Sequence, residues 1–314
     1  MFLAWVFLLI TLVSVGGLAE AKTFVVGIVC LSATQEPAVT GFENALNELV
    51  THDSEMTVTY LYIGPVSDAA AEVARLLSAG VDCLLGVGTG ATQAAQKATL
   101  GTETPVVFAF MSDPVASGTV QDLVHPGSNV TGVKAGGSVG KAIEWLLQAA
   151  PAVKRLYVPH WPSDSGAVQG MAELVPAAAT LGVELIVREA TTTQELLTAL
   201  DETPTDADAL FLLGSAPMNA QVDAYVQTSI AHRIPLVTPS PLVNRGVLLT
   251  YGHDYRRDGE QAARLVHLII HGALPADTPV EQADFFLGIN LQTAAAIGLV
   301  ISDDVLDQAD FIVR

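Results

Sequence analysis

Hydrophobic residues along this chain fall into short unbroken runs separated by stretches with helical spacing. Runs such as Phe24-Val25-Val26-Gly27-Ile28-Val29 and Val106-Val107-Phe108-Ala109-Phe110 show no polar alternation. Strands covered on both faces, as in a parallel sheet between two layers of helices, read this way. Between the runs, the segment 69–79 places Ala70, Val73, Ala74 and Leu77 on one helical face, with Asp68 as a cap and Gly80 as a stop. The pattern predicts strand 23–31, helix 39–50, strand 57–63, helix 69–79, strand 82–87 and strand 105–110 in one half. It predicts strand 154–159, helix 167–181, strand 183–188, helix 194–200, strand 209–213 and strand 235–237 in the other. Gly88 and Pro105 of the first half correspond to Gly214 and Pro235 of the second. An α/β unit written twice predicts two similar lobes with a cleft between them. Segments 130–134 and 246–251 read as the fifth strand of each half, and the glycines at 136, 137 and 140 mark a first crossing between lobes.

Half of the 314 residues are hydrophobic, so each half can bury its own core. The apolar segment 1–15 and the small-x-small pattern of Leu18-Ala19-Glu20-Ala21 read as a secretory signal over residues 1–21, cleaved after Ala21. An uncleaved N-terminal anchor is the alternative, since the segment lacks Lys and Arg. The formal charge of −19 argues against a nucleic-acid partner, which needs a basic footprint. Two cysteines are too few for a disulfide framework. Cys30 lies near the end of the first strand and Cys83 near the start of the third, so in parallel neighbours they sit at different heights of the sheet and are expected to be buried thiols.

In open α/β sheets, ligands sit at the carboxyl ends of the strands, and here those loops are rich in Ser, Thr, Asn, Asp and Gly. Gly86-Val87-Gly88-Thr89-Gly90-Ala91 matches a dinucleotide fingerprint but follows the third strand instead of the first. It reads either as a tight turn or as a helix N-terminus that holds an anionic or carbonyl oxygen together with the Thr89 and Thr92 hydroxyls. Asp113-Pro114 reads as a helix cap with proline at the first helical position, or as a cleft carboxylate; Asp254 is a similar candidate at a crossover. Trp161 could stack on a ligand from across the cleft or pack under its loop, an ambiguity Tyr251 and Tyr255 share. His267 and His271 stand one helical turn apart without a third ligand or an H-e-x-x-H pattern, so no metal is expected. Nor is there a nucleophile elbow, a P-loop or a paired-cysteine motif, and no catalytic residue or cofactor is expected.

One set of phrases is more specific. Pro105-Val106-Val107-Phe108-Ala109, Asp113-Pro114-Val115-Ala116-Ser117-Gly118 and His125-Pro126-Gly127-Ser128-Asn129-Val130-Thr131-Gly132-Val133 resemble a family of bacterial ABC-transporter substrate-binding proteins, some of which serve tryptophan and tyrosine uptake. Ile234-Pro235-Leu236-Val237, Tyr255 with Gly259, and Asn290 with Thr293 and Ala294 continue the match over nearly the whole chain. The resemblance implies the type I periplasmic-binding-protein fold, an α/β architecture of two Rossmann-like lobes with parallel sheets joined by three crossovers. The lobes would be residues 22–134 plus 252–282 and residues 135–251 plus 283–314. Helix 257–271 would return to the first lobe, and helix 292–299 with segment 305–309 would belong to the second. The family's strand-end contacts map onto Ser32, Thr89, Gly90, Thr92, Asp113, Ser215 and Asn219. Amino-acid-binding members would carry an acid after the strand matching 210–213, whereas this chain has Gly214-Ser215-Ala216-Pro217-Met218-Asn219. That departure argues against an amino-acid ligand, because an ammonium group wants a carboxylate there or nearby.

The expected function is an exported solute-binding protein, monomeric, that captures a small polar or aromatic molecule (an amino acid among the candidates) for an ABC permease and ATPase acting in trans. A sensory module working with a membrane receptor is the second reading. An NAD-dependent enzyme built on Gly86–Ala91 is the third; it lacks an acidic ribose partner at the right distance.

Overall fold

A computed structural model describes residues 22–51 and 56–314. The segment 1–21, expected to be a secretory signal, lies outside the described residues. The chain begins with β1 (Lys22–Cys30), α1 (Glu36–Val50), β2 (Met56–Leu61), α2 (Ala69–Ser78), β3 (Cys83–Val87), α3 (Thr89–Ala98), β4 (Val106–Met111) and β5 (Val130–Lys134). It continues through α4 (Val139–Ala149), β6 (Arg155–His160), α5 (Ser165–Leu181), β7 (Glu184–Glu189), α6 (Thr193–Asp201) and β8 (Ala209–Phe211). Then come α7 (Ala216–Asn219), α8 (Val222–His232), β9 (Leu236–Thr238), β10 (Leu249–His253) and α9 (Tyr255–Ile270). The last elements are β11 (Glu281–Gln282), β12 (Phe285–Asn290), α10 (Leu291–Ile297), α11 (Asp303–Leu306) and β13 (Phe311–Val313).

These strands form a six-stranded sheet, ordered β11-β5-β4-β3-β1-β2, and a seven-stranded sheet, ordered β13-β12-β10-β9-β8-β6-β7. Every pairing is parallel except that of β10 with β12. The chain passes between the sheets after β5, after β10 and after β11, which gives two lobes joined by three crossings, as expected.

The apolar runs are explained by burial on both faces. Val26, Ile28 and Cys30 of β1 point to a core shared with α1 and α9, while Val29 points to a core shared with α2 and α3. All residues of β3 and β4 are buried. Strand side chains alternate between faces, so a strand with a core on each side has no position left for a polar residue.

Helix α9 returns to the first lobe and packs along α1. Two glycines let the helices approach: a Cβ on Gly41 would lie 2.0 Å from the Arg256 carbonyl oxygen, and one on Gly259 would lie 2.0 Å from that of Ala38. Its last turns complete the first-lobe core with Ala262, Leu265 and Val266.

The pattern misses the end of the chain, where a short helix and then β13, paired with β12, replace the single segment 305–309. Asp113-Pro114 begins no helix: residues 114–118 form turns, with Asp113 Oδ1 accepting from Val115 N at 3.1 Å and Ala116 N at 2.9 Å. Cys30 and Cys83 are free and buried, four places apart in register, since Val26 pairs with Cys83 and Cys30 with Val87. No helix among the described residues is long and apolar enough to cross a membrane.

Candidate ligand-binding cleft

The carboxyl ends of both sheets open on one cleft of about 350 Å3. Its first-lobe wall is built by the turns after β1 and β3. At Gly86, a Cβ would meet Thr92 Cα at 2.7 Å, so the strand can run straight into α3 only without a side chain there. Gly88 then takes φ 81° and ψ 172° as the residue preceding α3, and no side chain caps this helix. The first turn of α3 therefore keeps N–H groups without a side-chain cap, and Ser32 and Thr89 line the same cleft; free helix N–H groups suit an oxygen-bearing, anionic group.

The second-lobe wall has the opposite character. Asp164 caps α5, with Oδ1 accepting from Ala167 N at 2.9 Å, and its carboxylate lines the cleft. Gly166, Gln169, Gly170 and Glu173 follow at helical spacing along the same face of α5. The two glycines admit the helix to the end of β8: a Cβ would lie 2.9 Å from Gly214 O at Gly166 and 2.9 Å from Leu213 Cδ2 at Gly170. Ser215 is 4% exposed, and its Oγ has no hydrogen-bond partner although it borders the cleft. Asn219 donates from Nδ2 to Ser240 Oγ at 3.0 Å. Among the described residues neither Lys nor Arg lines the cleft, and the carboxylates of Asp164 and Glu173 are its charged groups.

The crossings form the floor. Glu173 Oε2 accepts from Gly137 N at 3.1 Å, and Gln282 donates to Lys134 O at 2.9 Å, which ties the first crossing to α5 and to the third crossing. Three rings meet there: Phe110 lies 5.0 Å from Tyr255 and 5.3 Å from His253, and His253 and Tyr255 meet edge to face at 5.2 Å. Burial, with Asp258 nearby, pushes the Tyr255 hydroxyl up to about 12 and keeps it neutral. Burial likewise pushes the Asp258 carboxyl up, against the opposing pull of His253, whose Nδ1 it contacts.

Ser32, Thr89, Gly90, Ser215 and Asn219 come together around this cleft; four other sequence candidates do not. Thr92 is fully buried and donates from Oγ1 to Gly88 O at 2.8 Å, holding the turn instead of a ligand. Asp113 caps its own turn and opens on a separate groove with Lys134 and Glu144. Trp161 donates from Nε1 to Ser163 Oγ at 3.0 Å and packs on the second-lobe core. Asp254 caps α9 through Arg257 N at 3.1 Å and lies outside the lining.

Sequence reasoning overlooks Asp164, Gln169, Glu173, Phe110 and His253. The first three carry a readable signal: polar and glycine positions spaced as one stripe on an otherwise apolar helix. Phe110 reads as one more core residue.

A family model described as ABC transporter substrate binding protein matches residues 25–313. The chain belongs to that family. A tyrosine-binding protein of Clostridioides difficile (strain R20291) is 24% identical over 211 residues, which are 67% of this chain and 61% of that protein. The chain therefore spans about three fifths of the length of this curated relative. Among solved structures, an ABC domain from Streptococcus pneumonia in complex with L-Trp matches with a TM-score of 0.80 at 22% identity, covering 94% of this chain and 100% of that one. A ligand-free, open substrate-binding protein with adhesive properties from Clostridium difficile matches with a TM-score of 0.77 at 22% identity, covering 94% and 100%. In this substrate-binding protein the fold is the type I periplasmic-binding-protein fold, and its cleft lies where the two lobes face each other.

Proposed function

We propose that this chain is an exported solute-binding protein that takes an aromatic amino acid into the cleft and delivers it to an ABC permease and its ATPase, without covalent chemistry. One observation carries the reading. A single cleft sets an uncapped helix N-terminus on one wall, a carboxylate on the other and three rings on the floor between them. A carboxylate, an ammonium and an aromatic side chain on one small molecule answer these features in turn. Asp164 supplies the acid that is missing from the run after β8. The names of the tyrosine-binding relative and of the L-Trp complex agree in chemistry.

The lobes in this reading are residues 22–134 with 252–282 and residues 135–251 with 283–314, closing about the three crossings. Calorimetric titration of the mature chain is the test, with L-tryptophan, L-tyrosine and L-phenylalanine against their deaminated acids and against aliphatic amino acids. Saturable binding of an aromatic amino acid, with loss on deamination, is the expected result. Indifference to the amino group sinks the amino-acid reading.

A further inference from the structure

We propose that His253 selects for a ligand ring carrying a hydrogen-bond donor, a phenol O–H or an indole N–H, and that Asp258 is the residue that positions it. The proposal rests on the reading of the cleft as a site for aromatic amino acids and says which ring it takes.

His253 is the last residue of β10, where the second lobe hands the chain back to the first. Its ring packs on Phe110 and Tyr255, both cleft-lining, so it faces the ligand space from the floor. Its Nδ1 meets Asp258 Oδ2. Where the Asp258 carboxylate accepts, Nδ1 carries the shared proton and Nε2 is the ring nitrogen left to accept from a ligand. Phe110 offers the ligand a face and no polar atom. His253 thus adds direction to an apolar seat.

Asp258 explains itself poorly as a structural residue. It is 1% exposed, and its Oδ1 has no partner. Burying a carboxylate is unfavourable unless its bonds are made, and the side-chain partner of this one is a ring at the ligand site. A buried acid in that position fixes the tautomer and tilt of the imidazole, as carboxylates do behind metal-binding and catalytic histidines.

Closure on phenylalanine would leave Nε2 dry and unpartnered, whereas tyrosine or tryptophan would satisfy it. Sites built to bond a ligand group reject the analogue lacking it more strongly than pocket size alone allows.

Titration of the wild-type chain with L-tyrosine, L-tryptophan and L-phenylalanine should show one of the first two binding at least about tenfold tighter than the third. His253→Phe keeps a ring and removes Nε2; it should bring the three affinities to within about threefold. Asp258→Asn should narrow the selectivity for tyrosine or tryptophan over phenylalanine. Nitrogen-15 histidine spectra of the wild type carry the test without a substitution. The free protein should show the Nδ1–H tautomer of His253, and Nε2 should shift on adding tyrosine or tryptophan but not phenylalanine. Equal wild-type affinities, or selectivity surviving in His253→Phe, would overturn the role of His253 and leave the aromatic-ligand reading standing. Binding of none of the three by a folded wild type would overturn both.

Discussion

Each wall of the cleft presents a helix N-terminus that follows a strand, and the two come out with opposite polarity. On the first-lobe wall, β3 enters α3 through Gly88 and the helix is left without a side-chain cap. On the second-lobe wall, α5 carries its own cap, and that cap is the carboxylate of Asp164. A helix that lacks a cap has N–H groups to offer an incoming oxygen; a helix capped by an acid has charge to offer a cation. The difference teaches how a duplicated architecture acquires a direction. Under the proposed function a zwitterion would take one orientation between these walls, although the lobes are copies in outline.

The largest expected effect comes from Gly88→Ala. The backbone there lies in a region closed to residues with a side chain, so the substitution should cost about 1–3 kcal/mol and distort the α3 terminus. Chemical denaturation should report the loss, and calorimetry should find ligand binding abolished. Gly214→Ala, the corresponding change on the second wall, has a Cβ neighbour at 3.3 Å and no special backbone angle, so its effect should be much smaller. Equal losses at both glycines would break the comparison. Next comes Asp164→Asn. Asparagine caps helices nearly as well, so the melting temperature should hold within a degree or two of the parent, by about 0.5 kcal/mol at most. Affinity for an aromatic amino acid should fall by about tenfold to a hundredfold, as for a lost charge-assisted bond, while its deaminated acid binds unchanged. A parallel fall for both compounds would place the ammonium elsewhere. The smallest effect on binding belongs to Thr92→Val. Losing the bond to Gly88 O should lower stability by about 1 kcal/mol and leave affinity within a factor of two or so of the wild type. A ligand-binding threonine would instead lose affinity without losing stability.

Much of the fold was legible because unbroken apolar runs have one good explanation in this size of chain, and β1, β3 and β4 confirm it by being covered on both faces. β13 was not legible: three residues, Phe311–Val313, pair at a sheet edge and carry too little pattern to separate from a loop. Ser32, Thr89 and Ser215 could be picked out because strand ends are where such sheets bind ligands. Thr92 obeys the same rule in sequence, but at the fourth residue of α3 its hydroxyl turns back to the strand. Asp164 was hidden by its ordinary role as a cap, and His253 by distance, since nothing local to β10 says that Phe110 stands across from it.

The return of α9 has a consequence for the order in which this protein can assemble. Phe42, Leu46 and Val107 wait for Leu265 and Val266, which lie beyond the whole run from β6 to β10 in the chain. The lobe made first therefore cannot finish folding first. Its early helices and strands must stay loosely collapsed, with one face of the sheet exposed, until the later lobe has been synthesised. A chain stopped before residue 255 should be a sticky, partly folded species, and any factor that shields nascent chains has its longest task on the inner surface of α1.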